Sequence, residues 1–254
     1  MIAVLQWVAL GACLFCAAWR VPATLRGRNT GLFWAFVLLS VAVGLSLPEI
    51  YLVVDAGLGG RNIANLAIRF ALYAIFYILA VKFAAAYRSA SSARLIRGPV
   101  GISLLALISV ATLVLFLLSD LPSTSVGLQS YSNQPSVQAY GLLGRLYPAY
   151  AAACLIRPTA LAAVSAGAAG RKTAATAAGL ICSAFIMVLL LTAMQIAAAA
   201  VPLVSQLIAL LSYTAIVCMA LGLSFTWISL RMEQRRKSQG ARAGGQLHGW
   251  HDAT

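Results

Sequence analysis

Long apolar runs separated by short polar breaks recur along the whole chain. Seven reach membrane-crossing length: Ile2 to Trp19, Gly31 to Val54, Asn62 to Ala86, Pro99 to Ser119, Val137 to Ile156, Thr173 to Ala200 and Pro202 to Leu230. A helix needs about 20 apolar residues to cross a hydrocarbon core. The pattern therefore predicts an all-α, polytopic membrane bundle of seven transmembrane helices over residues 1–230, followed by a tail over 231–254. Punctuation supports several of the boundaries. Gly98-Pro99 opens the fourth run, where a missing N–H costs nothing, and Asn62 stands as an N-cap for the third. Pro202 separates the last two, and the fifth can extend to Val164 because Arg157-Pro158 need not end it. The first three runs share no motif with the last three, so an inverted-repeat plan gains no support.

Composition agrees with this pattern: 62% of the 254 residues are hydrophobic and only 9% are charged, against roughly 25% charged in a soluble domain. A net charge of +13 would point to nucleic acid in a soluble chain. Its distribution says otherwise. With the N-terminus outside, fifteen of the eighteen Lys and Arg fall on cytoplasmic segments and helix ends, leaving only Arg61, Arg69 and Arg145 on the outer side. The positive-inside rule selects an outer N-terminus and a cytoplasmic C-terminus. The expected partners are then the bilayer itself and anionic inner-leaflet lipids at the basic tail, not nucleic acid. The expected location is the plasma membrane of a bacterium, crossed several times. Oligomeric state is not legible. "MIAVLQW" lacks the basic start of a secretory signal, so the first run is expected to be an uncleaved span. The tail, "RMEQRRKSQGARAGGQLHGWHDAT", is Gly-rich and poor in apolar residues, the composition of a segment without fixed structure.

Several chemistries are disfavoured. Both histidines, His248 and His251, lie in the tail, so no span offers imidazole to a haem, a zinc ion or a Ser–His pair. The last span has no lysine for a retinal Schiff base. Cys13 and Cys16 form a CxxC on an apolar helix, where small-residue packing is the better reading. No cofactor is implied, and enzymatic acid–base chemistry has little to work with.

The spans keep a few polar residues, almost all in their outer halves. Arg69 lies about 10 Å below the outer end of the third span, and Arg145 sits at a similar depth in the fifth. Glu49, after Pro48, is the deepest acid expected on that side and the favoured partner of either arginine; Asp55 and Asp120 are expected nearer the surface. At 100° per residue, Asn62, Asn65, Arg69, Tyr73 and Phe76 fall within about 40° of one line. Gln195 with Thr192, Gln206 with Tyr213, and Gln6 also lie in outer halves. Two readings of this cluster stand. It can be an ion-pair and amide network that fixes helix packing. Alternatively, Arg69, Arg145, Glu49, Asn62, Asn65, Tyr73, Gln195 and Gln206 line a pocket for a small anionic or amphipathic solute carrying a carboxylate or phosphate.

The stretch "DAGLGGRNIANLA", Asp55 to Ala67, resembles a family of uncharacterised bacterial seven-helix membrane proteins usually described as transporters. The resemblance rests on the acid at the outer end of the second span, the Gly turn and Asn65-Leu66-Ala67. It implies the same seven-span plan with the N-terminus outside. Family members carry a longer cytoplasmic C-terminal region than this chain. Two function classes follow: a transporter of a small anionic or amphipathic solute, and a seven-helix sensor or membrane interaction subunit acting through its tail.

Overall fold

The computed structural model describes residues 2–27, 30–197, 208, 210–212, 214–226, 229 and 232. The described residues are mostly helical, with no strand among them. The elements are α1 (Ile2–Leu25), α2 (Thr30–Gly44), α3 (Pro48–Gly57), α4 (Ile63–Ala86), α5 (Ala90–Arg97), α6 (Pro99–Leu118), a 3-10 turn (Val126–Tyr131), α7 (Pro135–Ala168) and α8 (Lys172–Ala197). A further helix, α9, spans Leu210–Thr226. Four stretches are long and apolar enough to cross a membrane: α4, the joined α5 and α6, α7 and α8. The pair α2 and α3 makes a fifth if its two arms count as one span. The first predicted run lies within α1; the seventh lies partly outside the described residues, as do Gln206, Tyr213 and almost all of the tail.

The second predicted run is not one straight helix. Its two arms meet at 95° across Leu45, Ser46 and Leu47. Pro48 has no N–H to give the Gly44 carbonyl, and its ring clashes with a continuing helix. The break is closed by tight bonds, from the Ser46 hydroxyl to the Val43 carbonyl at 2.6 Å and from the Leu47 N–H to the Gly44 carbonyl at 3.1 Å. α3 then leaves the line of α2, with Leu52 and Val53 exposed and Tyr51 and Asp55 buried.

Other boundaries follow the sequence closely. Pro99 occupies the first turn of α6, as its missing N–H favours. α7 runs for 34 residues through both Pro148 and Pro158, so Arg157-Pro158 does not end it. Pro158 cannot bond the Cys154 carbonyl, and that carbonyl accepts instead from the Ser92 hydroxyl of α5 at 2.8 Å. At about 1.5 Å per residue α7 reaches about 51 Å, well beyond a hydrocarbon core of about 30 Å. It joins α8 through Gly170, whose φ of 69° lets the Arg171 N–H close on the Ala166 carbonyl at 2.9 Å.

The core sits where α4, α7 and α8 meet, around Ile75, Leu79 and Phe83, Ala151 and Leu155, and Ile181 and Phe185. α9 approaches α8 through Gly222. A Cβ there would stand 2.6 Å from the Ile181 side chain and 3.2 Å from the Ala177 carbonyl oxygen. Close backbone approach of this kind is how membrane helices gain packing energy without a hydrophobic drive. Gly222→Leu should therefore cost about 1–3 kcal/mol by overpacking. Thermal unfolding of the purified protein would read this, and an unchanged midpoint would refute the contact.

Candidate functional site

Three of the sequence-predicted residues, Asn65, Arg69 and Tyr73, keep their common line on α4, but the structure divides their tasks. Tyr73 is buried and its hydroxyl pairs with that of Thr112 on α6 at 2.8 Å. Asn65, also buried, accepts from the Tyr140 hydroxyl of α7 at 2.9 Å. That bond holds the Tyr140 ring beneath Arg69, whose guanidinium carbon lies 5.2 Å from the ring centroid. The negative face of the ring attracts the cation.

Gly144, one turn beyond Tyr140, completes the seat of Arg69. A side chain at this position would place its Cβ 2.7 Å from the guanidinium carbon and 2.9 Å from the Arg69 Cδ. Only glycine leaves the arginine its place. The adjoining Arg145 lines the same cavity as Arg69.

Both arginines line one cavity of about 310 Å³. Its wall is drawn from α1, α2, α4, α7, α8 and α9. Beyond the arginines, the wall is almost wholly apolar: Leu72, Phe76 and Leu79 of α4, Phe36 and Leu39 of α2, Val188 and Leu191 of α8, Ile216 and Leu223 of α9. Two hydroxyls, Thr192 and Ser212, also line it, and each donates to a carbonyl of its own helix, Val188 at 3.0 Å and Ile208 at 2.8 Å. Cys13 and Cys16 are free thiols on the α1 wall.

The expected carboxylate partner is not there. Glu49 is exposed, on the first turn of α3 beyond the 95° bend. A helix N-terminus suits a carboxylate without any arginine. Among the described residues, no ion pair joins Glu49 to Arg69 or Arg145. The buried acid is Asp55, near the end of the second predicted run, and it is fully enclosed within the protein. Asp55 is occupied elsewhere: its carboxylate accepts from the Asn62 N–H at 2.9 Å, the Ala64 N–H at 3.1 Å and the Thr124 hydroxyl at 2.7 Å. It thereby caps α4, a task the sequence assigned to the Asn62 side chain.

Asn62, at φ 60°, is instead a latch for the loop between α6 and α7. Its Oδ1 accepts from the Tyr51 hydroxyl at 3.1 Å and the Ser125 N–H at 2.7 Å, and its Nδ2 donates to the Ser123 carbonyl at 2.8 Å. With those bonds made, Asn62 turns to the loop and is absent from the cavity wall. Gln195 is half-buried on α8, is also absent from that wall, and has an Oε1 without a partner among the described residues. Gln206 lies outside the described residues.

Sequence reasoning missed Tyr140 as the seat of Arg69 and Asp55 as the buried acid. The signal for the first was the Tyr140–Gly144–Pro148 spacing, which puts a ring, a gap and a proline on one face of α7. No family model matches the chain, and no curated protein or solved structure is significantly similar to it.

Proposed function

We propose that the chain is a seven-crossing membrane transporter, N-terminus outside and C-terminus in the cytoplasm, that binds an amphipathic anion in the cavity headed by Arg69 and Arg145. One observation carries the reading: two guanidiniums stand at the head of an apolar cavity with no described carboxylate to neutralise them. Arginine does not discharge by losing its proton. Leaving two such charges unpaired in apolar surroundings is costly, and an anionic ligand removes the cost. The apolar wall would hold the rest of the solute. The proposal is in line with the resemblance of Asp55 to Ala67 to uncharacterised bacterial seven-helix membrane proteins described as transporters. It assigns the basic tail, almost all of it outside the described residues, to anionic inner-leaflet lipid. No chemical transformation is part of it.

A second reading, a seven-helix sensor that binds the same anion, is favoured by one feature. Away from the arginines, the wall at Ala35, Leu79, Ala184 and Leu223 offers no polar side chain to carry a head group onward. Proteoliposomes separate the two. The transporter reading expects saturable flux of a medium-chain alkyl anion, abolished by Arg69→Gln. Saturable binding without flux would assign the sensor, and neither binding nor flux would refute both.

A further inference from the structure

Resting on the reading of the cavity as an amphipathic-anion site, we propose that its ligand is a single-chain phosphate monoester, not a carboxylate. The argument begins with charge. Arg69 and Arg145 bring two permanent positive charges to one cavity head, and no described acidic residue lines the cavity. A carboxylate supplies one negative charge and would leave the second guanidinium uncompensated. A phosphate monoester carries about −1.5 to −2 at neutral pH and presents three acceptor oxygens. Each guanidinium is a planar fork whose paired N–H groups match phosphate oxygens two at a time.

The surrounding groups leave recognition to these two side chains. The Thr192 and Ser212 hydroxyls are engaged with carbonyls of their own helices, and Tyr140 commits its hydroxyl to Asn65. Arg69 is aimed from the ring of Tyr140 across the gap at Gly144. Its direction is fixed before any ligand arrives, which reduces the entropy lost on binding.

The apolar part is matched to an alkyl chain. A cavity of about 310 Å³, partly open, accommodates one such chain along its apolar wall. The α4 wall from Arg69 to Leu79 rises about 15 Å, which matches such a chain lying along the helix with its head at the arginines.

The test uses the full chain in nanodiscs of zwitterionic lipid at pH 8, with thermal stabilisation titrated by dodecyl phosphate, dodecanoate, dodecanol and inorganic phosphate. Dodecyl phosphate should reach half-maximal stabilisation at a concentration at least about tenfold below that of dodecanoate, because it gains a second charge-assisted set of hydrogen bonds. Dodecanol and inorganic phosphate should not stabilise, and Arg145→Met should raise the dodecyl phosphate midpoint to that of dodecanoate. If dodecanoate equals dodecyl phosphate on the unmodified protein, the phosphate assignment is overturned while the amphipathic-anion reading stands. If dodecanol equals both anions, or inorganic phosphate alone equals dodecyl phosphate, the underlying reading falls and takes the assignment with it.

Discussion

Asp55→Ala is expected to destabilise the protein by about 3–5 kcal/mol, from two buried N–H groups left without acceptors at about 1–3 kcal/mol each, together with the lost Thr124 contact. The carboxylate is fully enclosed and accepts from the Asn62 and Ala64 N–H groups at the start of α4. These are donors at a helix N-terminus, which the carboxylate satisfies in the native protein. Thr124 links the same carboxylate to the α6–α7 loop. The loss should thus appear in two measurements: a lower unfolding midpoint and faster proteolysis between Ser119 and Gln134. Asp55→Asn keeps one acceptor oxygen and should fall between the parent and Asp55→Ala. A loop as resistant in Asp55→Ala as in the parent would show that the carboxylate does not hold it.

Asp55 also shows where the sequence could be read and where it could not. Apolar run length depends on the one-dimensional order of residues, so the long apolar helices were legible from it, as was the start of α6 at Pro99. The bend at Gly44 to Pro48 was written in the sequence too, but 24 nearly uninterrupted apolar residues from Gly31 to Val54 masked it as one span. Missing that bend placed Glu49 on the line of α2, level with the arginines. Once α3 turns by 95°, Glu49 faces outward while Asp55, two turns further along α3, is carried inward over the start of α4. Helical spacing correctly put Asn65, Arg69 and Tyr73 on one line, yet a line on one helix does not say which neighbour each residue meets. Tyr73 meets α6 and Asn65 meets α7. An Arg69–Glu49 coupling, expected when the two were read as a pair, should now be absent: the losses on Arg69→Ala and Glu49→Ala should add.

Arg145→Met is expected to move stability and binding in opposite directions. Methionine keeps a long unbranched stem, so the apolar packing of the Arg145 side chain is largely retained. What disappears is a permanent charge that has no ion-pair partner among the described residues and shares one cavity wall with a second arginine. Removing it relieves both desolvation and like-charge repulsion, so the empty protein should unfold at a higher temperature. Affinity for an alkyl anion should fall by about tenfold to a hundredfold, the worth of one charge-assisted contact. Arg69→Met should lose at least as much affinity with a smaller gain in stability, because it also gives up the contact with the Tyr140 ring. A role confined to helix packing makes the contrary prediction: a guanidinium that fastens helices together should destabilise the protein when removed, whatever the ligand. The sign of the stability change in Arg145→Met, measured without ligand, therefore decides whether the two arginines hold the bundle together or hold something the bundle was built to receive.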